Sequence, residues 1–155
     1  MGLTLKFATG AREPIVAAVA KFDFDYLEML ESEKKIADFS LHLEPNDLNF
    51  LVNCATELVE IDEFGLRECL DTTEFYFDSE EGGAYYVDPA ITDLFSMFNE
   101  NEAEVLTIKW FKSMSAYHGE PVEVNDDAVE AVRRLIAISK EAIVENLDLV
   151  HFWFP

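Results

Sequence analysis

The chain has 155 residues, half of them hydrophobic, and sets 32 acidic side chains against 11 basic ones for a formal net charge of −21. Thirteen Phe, five Tyr and two Trp exclude a disordered acidic tail, which would be poor in aromatics. The charge excludes direct nucleic-acid binding and disfavours anionic membrane surfaces, because both ligands are polyanions.

The length fits one domain over 1–155. Leu3, Leu5 and Phe7 alternate with Thr4, Lys6 and Ala8, so 3–8 is expected to be a strand. Pro14 suits a first helical turn, and Ile15, Val16, Val19 and Phe22 follow at helical spacing. Asp23 is placed to cap a second stretch bearing Phe24, Leu27 and Leu30; residues 12–35 are compatible with one helix or two. Phe39, Leu41 and Leu43 alternate with polar neighbours, which predicts a half-buried strand over 38–44. Pro45 opens a helix whose core stripe is Leu48, Leu51, Val52, Ala55, Leu58 and Val59. A short irregular or helical piece containing Gly65 runs on to Leu70.

Phe75-Tyr76-Phe77 and Tyr85-Tyr86-Val87 flank an acidic, Gly-rich turn over 78–83, the pattern of a hairpin. Asp88-Pro89 starts a helix that buries Ile91, Leu94, Phe95 and Phe98. Asn101, with Glu104 three residues on, reads as the capping box of a helix carrying Leu106, Ile108, Trp110, Phe111, Met114 and Tyr117. Gly119 stops that helix. Asn125 caps the last helix, whose stripe is Val129, Val132, Leu135, Ile136 and Ile143. The closing run, 149–154, is rich in strand formers. The fold expected is a single compact α+β domain, mostly helical, with a small, mainly antiparallel sheet that includes the N- and C-terminal strands and is covered on both faces.

Motifs for chemistry are sparse. His42, His118 and His151 show no i, i+4 zinc spacing, and CxxC is absent. His42 and His151 both fall on expected strands and would meet only if those strands paired. His118, just before Gly119, suits a helix C-terminus. Cys54 and Cys69 read as unpaired thiols, since two cysteines make no disulfide scaffold. No nucleophile elbow or phosphate-cradling Gly-rich loop occurs. The acids at 78–81 lack the alternating ligands of a calcium loop. No catalytic residue, metal ligand or cofactor is therefore assigned.

What stands out is the distribution of charge. Residues 36–108 hold 18 acids and one base, Arg67. Aromatic side chains interleave with the acids of 57–86. A solvated face that maintains solubility would account for the charge alone. Interleaving favours a docking surface, because charge steers a partner while aromatics anchor it. The binding residues expected are Glu60, Asp62, Glu63, Asp71, Glu74, Tyr76, Asp78, Glu80, Glu81, Tyr85 and Tyr86. The function expected is an acidic binding protein that neutralises or sequesters a basic protein partner. Immunity proteins, antitoxins and nucleic-acid mimics share this charge and size, an analogy rather than a homology.

Two rival classes remain: a structural or oligomerising domain charged only for solubility, and a hydrolase-type enzyme with an unrecognised carboxylate or His42/His151 site. A half-exposed aromatic end at Trp153-Phe154 would serve self-association as a homodimer. With no leader and no apolar run of membrane-spanning length, a soluble cytoplasmic protein is expected.

Overall fold

The computed structural model describes residues 3–44, 46–59 and 75–155, with the backbone alone for 75–78. Five strands form one antiparallel sheet: β1 (Thr4–Gly10), β2 (Ile36–Asp38), β3 (Phe75–Ser79), β4 (Gly82–Tyr86) and β5 (Asp148–Phe154). Their order is β2-β1-β5-β4-β3. The described α-helices are α1 (Arg12–Ala20), α2 (Phe24–Ser32), α3 (Asp47–Leu58), α4 (Pro89–Ser96), α5 (Ala103–His118) and α6 (Asp126–Glu145).

The two ends of the chain make the centre of the sheet. β1 and β5 pair from Thr4↔Phe154 to Gly10↔Asp148. Period-two alternation then sends successive side chains of β5 to opposite faces. Leu149 and Trp153 join the larger core beneath α3–α6, whereas Val150, Phe152 and Phe154 pack against α1 and α2. Both faces are covered, which is why the terminal strands are apolar on both sides. Val150 and Phe152 are fully buried, and each such side chain contributes about 1.5–3 kcal/mol relative to exposure. β5 lies between β1 and β4 with both edges hydrogen-bonded, so it has no free edge for strand-to-strand self-association.

Several boundaries follow local chemistry. The 12–35 stretch is two helices, broken at Lys21-Phe22 and restarted where the Asp23 carboxylate accepts from the Tyr26 amide at 3.1 Å. Asp88 caps α4 through the Ala90 amide at 2.8 Å, with Pro89 behind it. Asn125 caps α6 through the Ala128 amide at 2.8 Å. Gly119 ends α5 in the left-handed conformation at φ 72°.

Other expectations are corrected. The second strand is 36–38, not 38–44. The Ser40 hydroxyl takes over from the backbone by accepting the Leu5 amide at 3.2 Å, and His42 adopts φ 60°, which no strand continues. The turn between β3 and β4 is only Glu80-Glu81, because the Ser79 hydroxyl bridges the Gly82 carbonyl at 3.0 Å and the Glu81 amide at 3.2 Å. The capping box uses Asn99 and Glu102 rather than Asn101 and Glu104: the Glu102 carboxylate accepts from the Asn99 amide at 2.9 Å, and a 3-10 turn precedes α5. Leu58, Ile108, Tyr117 and Ile143, expected in core stripes, are exposed. Pro45 and the piece from Gly65 to Leu70 lie outside the described residues.

Candidate docking groove

Five of the expected binding residues, Glu60, Asp62, Glu63, Asp71 and Glu74, lie outside the described residues, as does Cys69. Tyr76 and Asp78 are on β3, where only the backbone is described. Glu80 and Glu81 are exposed at the hairpin tip. Tyr85 and Tyr86 are half-buried and, as neighbours on a strand, face opposite sides of the sheet. The Tyr85 ring lies 4.8 Å from His151 beneath α3–α6, and burial pushes its phenol pKa up. The Tyr86 ring carries the Arg12 guanidinium at 4.2 Å on the other face. The hairpin thus separates the two tyrosines instead of presenting them together.

The histidines separate as well. His42 is exposed in a loop. His151 is 2 % exposed, held between Phe7 at 4.5 Å and Tyr85 at 4.8 Å. Desolvation lowers its pKa to about 3, only partly offset by the Lys6 backbone. It is a neutral core side chain, and a joint site with His42 is not formed. His118, beyond ending its helix, bonds through Nε2 to the Asp47 carboxylate at 2.8 Å. That bond raises its pKa, while Asp47 also accepts from the Glu44 amide and from the Trp110 indole. His118 and the Glu44 amide answer the buried carboxylate, and the indole answers the Asp47 backbone carbonyl. Cys54 is buried 3.3 Å from the Ser113 hydroxyl, and desolvation raises its thiol pKa, away from a reactive thiolate. Among the described residues no cluster of three or more His, Cys, Asp or Glu could hold a metal ion, and no helix is long and apolar enough to cross a membrane.

A different surface brings acids and aromatics together. Residues 22–33 hold five carboxylates and no basic residue, and they open with alternating Phe22-Asp23-Phe24-Asp25-Tyr26. Folding turns Leu27 and Leu30 of α2 into the core and leaves Phe24 52 % exposed. Its ring lies 5.4 Å from that of Phe154, and Phe22 lies 6.0 Å from the same ring. Beside them is a hollow of about 280 Å³, walled by Phe24, Leu27, Phe152 and Phe154 with Glu28 and Glu31 from α2. Lys6 enters it from β1 and is held by Glu31 and Asp38, each at 3.5 Å. A second hollow of about 370 Å³ adjoins it, sharing Glu31 and Ile36 and adding Asp38, Asp127 and Glu130 together with the basic Lys34 and Arg134.

The signal that marked 57–86 in the sequence, acids interleaved with aromatics, is equally present at 22–28. There Phe22 also continues the helical spacing of Ile15, Val16 and Val19, and Phe24 that of Leu27 and Leu30, so the pattern reads equally as core. Compared with known proteins, the chain matches no family model, no curated protein and no solved structure.

Proposed function

We propose that this chain is an acidic binding protein that neutralises or sequesters a basic protein partner, in the manner of immunity proteins, antitoxins and nucleic-acid mimics. The observation that carries the reading is the cluster of exposed Phe22 and Phe24 with half-buried Phe154 beside the carboxylates of α2, within a chain of net charge −21. Monomeric surfaces tend to hide such aromatics, and aromatic anchors with complementary charge characterise binding sites.

The basic residues support it further. Arg12, Lys35, Lys109, Arg133 and Arg134 are engaged by Asp148, Glu141, Glu57 and Glu130 on the protein itself. The excess carboxylates are left to dominate the outer field, which accelerates encounter with a cation.

The test uses purified basic and acidic proteins of similar size, immobilised at low salt and again at about 0.5 M salt, where the Debye length falls to a few ångströms. Retention by basic proteins that high salt abolishes supports the reading. No retention, or retention indifferent to salt and to the sign of the target's charge, refutes it.

A further inference from the structure

The geometry points to a socket for one arginine side chain of the partner, in the hollow between α2 and the β1–β5 pair. This rests on the binding-protein reading and gives it a contact point.

Size comes first. At about 280 Å³ the hollow has room for one long side chain. Its walls come next. Phe24 and the half-buried Phe154 offer apolar and π surface to an aliphatic stem and a flat cation, with the buried Leu27 and Phe152 behind them.

The end of α1 places one more ring beside the hollow. Phe22 adopts φ 55°, a left-handed conformation that is unfavourable by about 1–2 kcal/mol for a residue with a Cβ. That conformation sets a 38 % exposed ring beside Phe24 instead of in the core. Lys34 and Asn146 end α2 and α6 in the same conformation, and the Asp23 amide donates back to the Ala18 carbonyl at 2.8 Å, so the turn at Phe22 is set by the termination of α1.

Charge selects the occupant. Glu31 already holds Lys6, whereas Glu28, at the same rim, makes no hydrogen bond or ion pair among the described residues. An anion would meet an overall field of −21, and a purely apolar plug would leave Glu28 unanswered. A guanidinium answers both surfaces: it stacks on a ring face and offers a carboxylate two parallel donors, which a compact, strongly hydrated ammonium does not. Lys6 repels any incoming cation and so directs the head group toward Glu28.

The experiment titrates the whole chain, labelled for NMR, with three capped peptides, Ser-Leu-Arg-Leu-Ser and its Lys and citrulline counterparts, and separately with deca-arginine in low and high salt. The socket predicts saturating shifts at Phe24, Leu27, Phe152 and Phe154 with the Arg peptide, about threefold to fivefold weaker binding of Lys, and loss with citrulline. Glu28→Gln and Phe24→Ser, both exposed and so tolerated by the fold, weaken the Arg peptide several-fold, and Lys6→Met tightens it.

Shifts that map elsewhere, equal affinity for citrulline, or wild-type affinity in both Glu28→Gln and Phe24→Ser overturn the socket. If deca-arginine still binds in a salt-sensitive way in that case, the binding-protein reading survives without it. If deca-arginine fails to bind at low salt, both fall.

Discussion

Asp47 and His118, 71 residues apart in the chain, meet at 2.8 Å and tie the first turn of α3 to the last turn of α5. Asp47 is only 4 % exposed, yet its polar atoms are answered by His118, the Glu44 amide and the Trp110 indole. A buried carboxylate is tolerated only when satisfied in this way. The bond raises the His118 pKa, chiefly through the hydrogen bond to Asp47. A raised folded-state pKa contributes stability that is complete below the unfolded value of about 6.5 and is lost as pH rises through the folded value. His118→Asn is therefore expected to flatten the decline in stability on the alkaline side of neutrality. Urea denaturation of both proteins from pH 5.5 to 8.5 measures it; parallel curves would count against the pairing.

His151 acts with the opposite sign. Its folded pKa is lowered to about 3 by burial. Its contribution is intact above pH 6.5, declines by about 1.4 kcal/mol per pH unit below that, and levels off once the folded form is also protonated. His151→Leu is expected to remove this part of the acid limb while keeping an apolar contact with Phe7. Stability measured from pH 7 down to pH 4 decides it, the predicted result being a shallower fall in the variant.

Trp110 is fully buried, and its indole donates to the Asp47 carbonyl at 2.8 Å. Trp110→Phe keeps an aromatic ring against Phe39 and Phe111 but withdraws the donor. The lost hydrogen bond together with the smaller ring is expected to cost about 1–3 kcal/mol. Equilibrium denaturation tests this, and a change below about 0.5 kcal/mol, within the range of ordinary surface substitutions, would mean the bond contributes little.

Gly82 allows β4 to lie close to the end of β5. A Cβ there would sit 3.0 Å from the Phe154 ring and 3.1 Å from the Trp153 carbonyl. The ring can yield, but the backbone carbonyl cannot move without disturbing the ladder. Gly82→Ala is expected to displace Phe154 and destabilise the fold by about 1–3 kcal/mol. Thermal melts give the stability, and altered ring signals from Phe22 and Phe24, which share the cluster, give the displacement; unchanged signals would show that the ring does not depend on Gly82.

Much of this architecture was legible without coordinates. The period-two run at 3–8, the apolar strand-forming run at 149–154, the caps at Asp23, Asp88 and Asn125 and the stop at Gly119 are local devices, set by residues within a few positions of one another. Local chemistry also explains the misplaced boundaries. Asn99–Glu102 and Asn101–Glu104 have the same spacing, and only the preceding turn chooses between them. The strand expected over 38–44 stops at Asp38 because a side chain, Ser40, replaces the backbone partner of Leu5.

Composition and pattern alone determined the class of this protein: a strongly acidic, aromatic-rich α+β chain with apolar strands at both ends, because charge, periodicity and capping act over short range. Tertiary structure decided which aromatics are buried and which are offered. It sent Tyr85 and Tyr86 to opposite faces, put His151 in the core, joined Asp47 to His118, and gathered Phe22, Phe24 and Phe154 beside Glu28. These relations depend on the pairing of the chain's two ends and on the packing of α2 over that pair, long-range contacts that no neighbouring residue encodes.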